Sequence, residues 1–519
     1  MRLLAYLLLL MSILLWSSCR EDFESRPSTG QLEFSRDTVY LDTIFSNIGS
    51  STYTLKVYNR SEETISIPNV GLEQGENSRY RLNVDGRAGQ AFQDVEIRGR
   101  DSLFIFIETT VDIGDFENTN PQFLYTDILQ FDSGTNAQEV PLITLIKDAV
   151  FLFPSRDAQG MTETLSLGLD DAGEEILIEG FFLEDDELVF TNEKPYVIYG
   201  YAAVPPNRTL EIQAGARVHF HESSGLIVAN EGSLVVRGGL STDQEAVENE
   251  VIFEGDRLEP EFADVPGQWG AIWLTAGSTG HDLNHLTIKN ATVGLLMDSN
   301  DGGASPTLTL RNVQIYNSSN VGLLGRTANI LGENVVINNS GLISLWASLG
   351  GTYNFTHSTF ANYYTGGFRN FPAVVLDNQL QIDTEEFLVA DLNANFLNCI
   401  VYGNTGEEFG LLANASAAFD FQFSNSLIRF DDDFDEFADN PLYDFSNTAR
   451  FTNCLISELP DFKDPGNNAL QIGENSAASG LGDAVGASQV PLDLLGTARS
   501  TTPDSGAYES VLFEEEPEN

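Results

Sequence analysis

Apolar and polar positions repeat along the middle of the chain at a long period. His285-Leu-Thr-Ile288-Lys-Asn290 is followed by Asn312-Val-Gln-Ile315-Tyr-Asn317, Asn334-Val-Val-Ile337-Asn-Asn339 and His357-Ser-Thr-Phe360-Ala-Asn362. The steps are 27, 22 and 23 residues, and a glycine opens a second apolar run after three of them: Gly294-Leu-Leu, Gly322-Leu-Leu and Gly341-Leu-Ile. Self-similarity at this period defines stacked repeats, each covering the apolar face of the next.

Asn398, Asn425 and Asn453 open three further copies, so seven phrases align in columns. The second residues are Leu286, Val313, Val335, Ser358, Cys399, Ser426 and Cys454; the fourth are Ile288, Ile315, Ile337, Phe360, Val401, Ile428 and Ile456. Alternate residues of a strand share a face, so these two columns are expected inward and the opening Asn/His column outward. By the same parity Asn290, Asn317, Asn339 and Asn362 point inward at the turn leaving the strand. They are expected to form a structural ladder of stacked amides, each bond contributing about 1 kcal/mol. The third column begins polar (Thr287, Gln314) and turns apolar at Ile400, Leu427 and Leu455. An outward apolar stripe implies a cover, with the 366–396 insertion, the acidic tail, the N-terminal region and a partner chain as candidates.

Residues 32–150 read differently. Tyr53, Leu55 and Val57 alternate with Thr54, Lys56 and Tyr58, and further short runs fall at 64–67, 79–84, 95–97, 103–107, 127–131 and 140–146. Seven or eight such strands without a helical period predict a small antiparallel β-sandwich. Residues 151–194 are an acidic connector that could also cap the repeats; its pairs Asp170-Asp171 and Glu174-Glu175 and the run Glu184–Glu187 read as solvated turns.

At 519 residues the chain exceeds one ordinary core, and 42% hydrophobic content with 34 Phe suits a packed protein. The net charge of −51, from 77 acids against 26 Lys and Arg, opposes binding to nucleic acid, anionic headgroups or polyanionic glycans. Cys399 and Cys454 lie two repeats apart, roughly 9–10 Å at the strand spacing, beyond disulfide reach. Free, buried thiols are expected.

Arg2 precedes an apolar run, Leu3–Trp16, then Ser17-Ser-Cys19-Arg-Glu-Asp22. Fourteen residues rise only about 21 Å as a helix, short of a ~30 Å hydrocarbon core, so residues 1–18 read as a signal peptide. The segment resembles the lipobox of bacterial lipoproteins, although Trp16 stands where leucine is usual. The resemblance implies lipidation at Cys19, a tether over 19–31, and a membrane partner through the lipid anchor. Arg20-Glu-Asp22 resembles the signal that sends some Gram-negative lipoproteins to the outer membrane, facing the cell exterior.

Val204-Pro-Pro-Asn-Arg-Thr-Leu-Glu-Ile, Gly232-Ser-Leu-Val-Val236 and Trp269-Gly-Ala-Ile-Trp-Leu274 resemble opening turns of right-handed parallel β-helix proteins. Asn468-Ala-Leu-Gln-Ile472, Ser476-Ala-Ala-Ser-Gly480 and Pro503-Asp-Ser-Gly-Ala-Tyr-Glu509 resemble the closing segment of bacterial surface β-helices. The module at 32–150 is similar in pattern and position to immunoglobulin-like spacers. The expected fold is therefore all-β: a small sandwich, then a right-handed parallel β-helix (a solenoid) over 195–510 with 11–13 turns, and an acidic tail at 511–519.

Reaction chemistry is sparse. The phrases Gly-His-Gly and Arg-x-Lys, which pectin hydrolases of this superfold carry, are missing, and the Asp-Asp pairs precede the repeats. Asp431-Asp-Asp-Phe-Asp-Glu436 lacks the glycine and distal glutamate of a calcium loop. His219, His221, His281, His285 and His357 lack metal-ligand spacing. No cofactor or metal is expected, Ca2+ being the one ion the acidity leaves open. The step from His357 to Asn398, 41 residues, contains an extra loop whose Tyr363, Tyr364, Phe368, Arg369 and Phe371 are the candidate ligand contacts, a sugar-stacking platform. The leading expectation is a surface-anchored lipoprotein whose non-catalytic β-helix serves adhesion or glycan binding. The alternatives are a polysaccharide-cleaving lyase or glycoside hydrolase with an unrecognised site, and a structural subunit of an outer-membrane surface complex, with a polysaccharide or a surface protein as partner.

Overall fold

Alternation in the first module becomes alternation of burial. Ser102–Thr109 buries Leu103, Ile105, Ile107 and Thr109 while Phe104 and Phe106 stay exposed. The computed structural model describes residues 25–116, 122–170, 172–300, 302–383 and 386–513, so Cys19 and residues 514–519 of the tail lie outside the described residues. The chain divides into two compact units between Asp148 and Ala149.

The first unit holds a six-stranded sheet built on Ile65–Leu72, Gln122–Phe131, Gln138–Lys147 and Val39–Phe45, and a five-stranded one built on Tyr53–Tyr58, Ser102–Thr109 and Tyr80–Val84. Pairing is mostly antiparallel. One buried cluster draws on both sheets, with Val39, Ile67, Leu129 and Leu142 from the first and Leu55, Leu82, Ile105 and Ile107 from the second.

The second unit is dominated by a 27-stranded, largely parallel sheet. A strand pairs with one of the following turn rather than with its immediate successor. Three ladders result. The first runs through Tyr196–Ile198, Arg217–Phe220, Val251–Gly255, residues 286–289, 313–316 and Val336–Asn338, and on to Leu455–Ile456. The second contains Tyr201–Val204, Gly225–Val228, Trp269–Leu274, Ala291–Asp298 and residues 321–326 and 343–348. The third contains Thr209–Gln213, Ser233–Arg237 and residues 282–284, 308–311, 330–333 and 353–356. Like residues stack because register holds from rung to rung: Leu286↔Val313 and Ile288↔Ile315 pair directly, and both columns fill the main core.

The parallel stack starts earlier and stops earlier than expected. Val150–Leu152 already pairs with Tyr196–Ile198, and Phe181, Leu183 and Phe190 lie in the core, so 151–194 supplies the first rungs. Asp170 and the run Glu184–Glu187 lie in turns, with Asp170 Oδ1 accepting the amides of Ala172 and Glu174 at 2.9 and 2.8 Å, whereas Glu175 opens the strand Glu175–Phe182. At the other end the last parallel strand pairing of the stack is Leu427–Ile428 with Leu455–Ile456. Residues 462–508 are not further turns. They run over the outside of the first ladder, starting with an antiparallel hairpin, Phe462–Asp464 with Ala469–Ile472. Their apolar residues alternate like rung residues because they too present one face to a packed surface.

That segment is the cover of the apolar stripe. Ile400 and Leu427 are fully buried against Ile472 and Ala478, with Leu455, Phe462 and Leu481 alongside, and Val336 packs with Leu470, Leu494, Ala507 and Tyr508. Neither the 366–396 insertion nor a partner chain is needed.

The opening Asn/His column is a corner, not an outward strand position. His285, Asn312, Asn334, His357, Asn398, Asn425 and Asn453 all have φ between +48° and +56°. Asn and His are among the non-glycine residues that best tolerate this left-handed region, and the repeat bends there from its third ladder into its first. Their side chains make much of the ladder that had been expected from the other Asn column. Asn334 Nδ2 donates to Asn312 Oδ1 (2.9 Å) and to Leu492 O (2.9 Å), Asn398 Nδ2 to His357 Nε2 (2.8 Å) and Asp483 O (3.0 Å), and Asn425 Nδ2 to Leu481 O (2.9 Å). Asn312→Val is expected to cost about 1–2 kcal/mol more than Asn312→Gly, because both lose the same side-chain bonds and only valine meets the left-handed steric penalty. Urea unfolding of the two variants measures the difference.

Of the expected ladder at Asn290, Asn317, Asn339 and Asn362, one amide–amide bond joins consecutive rungs, Asn317 Nδ2 to Asn290 Oδ1 (3.3 Å). Asn468 of the covering segment then intervenes, donating to Asn317 Oδ1 (3.1 Å) and accepting from Asn339 Nδ2 (2.8 Å). Asn362 bonds instead to the backbone of Ser340. These side chains brace loops and the covering segment rather than stacking in the core.

Candidate functional site

The extra loop is not an aromatic platform. Arg369, only 7% exposed, reaches inward and grips Glu408 with both arms, Nη1–Oε2 at 2.8 Å and Nη2–Oε1 at 2.6 Å. Nη2 also donates to Asn362 O and Asn404 Oδ1, and the Glu408 carboxylate accepts the amides of Ala373 and Thr405. Arg369 is therefore a loop anchor and not a ligand contact. Tyr363 packs edge-on against Phe462 of the covering segment, Tyr364 lies over Gly366, and Phe368 stands 93% exposed with Phe371 half-exposed. The loop brings none of these rings into stacking contact with another.

The ion pair also explains why the Asn series stops. Asn362 is in register with Gly403, where a Cβ would lie 2.1 Å from Glu408 Oε1. The buried carboxylate occupies the space that an asparagine would have used.

A better surface lies on the second ladder. Register places Ala203, Ile227, Trp273, Leu296, Leu324, Trp346 and Val375 in one outward column. Trp273, Leu296, Leu324 and Trp346 are half-buried, so a continuous apolar strip faces solvent over four rungs. Each indole is held by a carboxylate two residues further along the next rung: Trp273 Nε1 donates to Asp298 Oδ2 at 2.9 Å, and Trp346 Nε1 to Asp377 Oδ2 at 2.6 Å. Asp298 also pairs with Arg326 (3.1 Å), and Asp377 accepts the Leu349 amide (2.7 Å). Burial nevertheless pushes the Asp377 carboxyl above its ordinary value. The strip opens at one end into a groove of about 630 Å³ lined by Leu165, Phe182, Ile227, Trp273, Thr275 and Asp298.

Two rings three rungs apart are separated by roughly 14 Å at the strand spacing. Such a strip offers flat apolar faces to the C–H side of a sugar ring, with carboxylate, guanidinium and hydroxyl groups beside it for the hydroxyls. In the sequence the phrase Trp269-Gly-Ala-Ile-Trp-Leu274 reads only as architecture. Trp269 and Trp273 are four residues apart, so alternation alone would place them on one face; the irregularity between Ala271 and Ile272 is what leaves Trp269 buried and Trp273 outward, and the sequence carries no local signal of it.

The histidines are dispersed. His219 and His221 face Glu254 and Asp256 on the next rung, with His221 Nδ1 2.7 Å from Asp256 Oδ2, and that bond raises the imidazole's pKa. Burial lowers His281 to about 4 and His357 to about 3, so both are neutral acceptors inside the fold. Among the described residues no three His, Cys, Asp or Glu side chains converge as a metal site. Asp432 of the acidic run closes its own turn, accepting the amides of Glu436 and Phe437. Cys399 and Cys454 are free thiols; Cys399 is buried and Cys454 only partly so. No helix of the described residues is long and apolar enough to cross a membrane.

Fold and site together define an all-β protein with a large parallel-strand sheet and an outward tryptophan strip. No family model matches the sequence, and no curated protein matches it. Among solved structures it is similar to a family 123 glycoside hydrolase from Clostridium perfringens, studied for glycolipid glycan hydrolysis, at 10% identity and a TM-score of 0.15. The match covers 22% of this chain and 26% of that one, so it spans about a quarter of the enzyme's length.

Proposed function

We propose that this chain is a surface-anchored lipoprotein whose second unit is a right-handed parallel β-helix that binds neutral glycans without cleaving them. Cys19 carries the lipid, an immunoglobulin-like sandwich formed by the first unit acts as the spacer, and the outer membrane, facing the exterior, is the location. The observation that carries the glycan reading is the strip of Trp273, Leu296, Leu324 and Trp346, with both indoles fixed by hydrogen bonds to Asp298 and Asp377. One rung is close to the length of one pyranose unit, so an extended neutral glycan lying along the stack would meet a side chain at each sugar. The net charge of −51 disfavours uronate polymers.

Docking to a surface complex through Ile400, Leu427 and Leu455 loses its basis, since the chain's own segment 462–508 covers them. Affinity electrophoresis in gels containing neutral polysaccharides tests the glycan reading. Retardation by at least one polymer is expected, with Trp273→Ala and Trp346→Ala each weakening it by about 2 kcal/mol, the size of an interface hot spot. Retardation unchanged in both variants, or new reducing ends released during the run, would refute it.

A further inference from the structure

A second cavity lies between the first ladder and the covering segment. It measures about 400 Å³, within the range of small-ligand sites, and Glu250, His285, Gln314, Tyr316, Asn468 and Tyr508 are among its walls. Glu250 is 8% exposed, yet its carboxylate forms no salt bridge among the described residues. Among the described residues its one side-chain bond is a long one, from Gln314 Nε2 at 3.5 Å. Arg217, whose charge acts on this carboxyl, instead donates to the backbone carbonyls of Glu250 (2.6 Å) and Val247 (2.8 Å). Burial raises the Glu250 carboxyl above its ordinary pKa, and Arg217 offsets this only in part. A buried carboxylate so weakly compensated costs stability, which singles it out from the ion pairs elsewhere in the unit.

We propose that this cavity is a binding site for a neutral monosaccharide unit, with the Glu250 carboxylate accepting hydrogen bonds from its hydroxyls and the Tyr316 and Tyr508 rings forming its apolar wall. The lining fits hydroxyls rather than charges. Gln314, Asn468 and their neighbouring amides both donate and accept, as sugar hydroxyls do, whereas an ammonium only donates and a carboxylate only accepts. No Lys or Arg lines the cavity to receive an anion. Two of its walls come from the segment at 467–508, so the site exists only once that segment is docked. It is separate from the tryptophan strip, which lies on another ladder.

Calorimetric titration of the full chain with glucose, galactose, mannose, N-acetylglucosamine and glucosamine, one at a time, tests the assignment. At least one neutral sugar is expected to bind, and Glu250→Met to weaken it at least tenfold while melting at or above the wild-type temperature. Gln314→Leu serves as the second variant, also with an expected loss of tenfold or more. Trp273→Ala is expected to leave this binding unchanged. The proposal is overturned if no neutral sugar gives a signal, if Glu250→Met binds as well as wild type, if glucosamine binds more than tenfold tighter than glucose, or if Trp273→Ala abolishes the signal.

Discussion

Arg369→Ala is expected to destabilise the second unit by about 3–5 kcal/mol, because it strands a fully buried carboxylate. The side chains of Arg369 and Glu408 are 2% and 0% exposed. Glu408 would keep the Ala373 and Thr405 amides but lose both charge-assisted bonds from the guanidinium. Arg369 also ties its own loop to the rungs through Asn362 O and Asn404 Oδ1, so the loop is expected to become protease-sensitive in the variant. The pair itself is not a large net source of stability, since two charges were desolvated to form it. The double variant Arg369→Met/Glu408→Leu should therefore recover most of the loss. Urea melts of the three proteins check this. A loss below about 1 kcal/mol in Arg369→Ala would show that water reaches Glu408, contrary to its burial.

Truncation after Ser457 is expected to have a still larger effect. The missing segment buries Leu470, Ile472, Leu494 and Tyr508 against the first ladder, and at about 1.5–3 kcal/mol per large apolar side chain their loss removes on the order of 6–12 kcal/mol. Val336, Ile400 and Leu427, all fully buried, would become a contiguous exposed stripe. The truncated protein should bind ANS strongly and sediment as oligomers, if it accumulates at all. Arg499→Ala is the milder version. Its guanidinium is held by Glu509 and Asn334 at 2.8 Å and by Gly506 O at 3.2 Å, with the side chain fully buried. A loss of about 3 kcal/mol is expected there, with the same ANS signature at lower denaturant. A monomeric truncation without ANS binding would mean that the stripe is not held by this segment.

The sites were less legible than the scaffold, for reasons visible in single residues. Arg369 looks like a ligand contact in sequence because it sits among aromatics in a long loop. Its partner Glu408 is 39 residues away, and nothing local reveals that the two side chains meet. Trp273 and Trp346 are 73 positions apart and join one surface only through three steps of strand register. Glu250 reads as one acid among 77 until burial sets it apart. The Asn/His corner column was visible as a column, but its role was misassigned. Period-2 parity assumes extended backbone throughout, and a left-handed residue breaks that assumption where the chain turns.

What the sequence by itself determined was the strand state, the repeat period and the two inward columns, Leu286 to Cys454 and Ile288 to Ile456. Those follow from burying one face of a short alternating segment under an identical neighbour, a requirement each phrase carries locally. Tertiary structure alone decided what lies against the outward faces. The segment 462–508 covers one face, closes a polar cavity over Glu250 and leaves the tryptophan strip on another face open. Parity tells which side of a strand a residue occupies, whereas contact between residues far apart in sequence depends on where the whole stack brings the chain back.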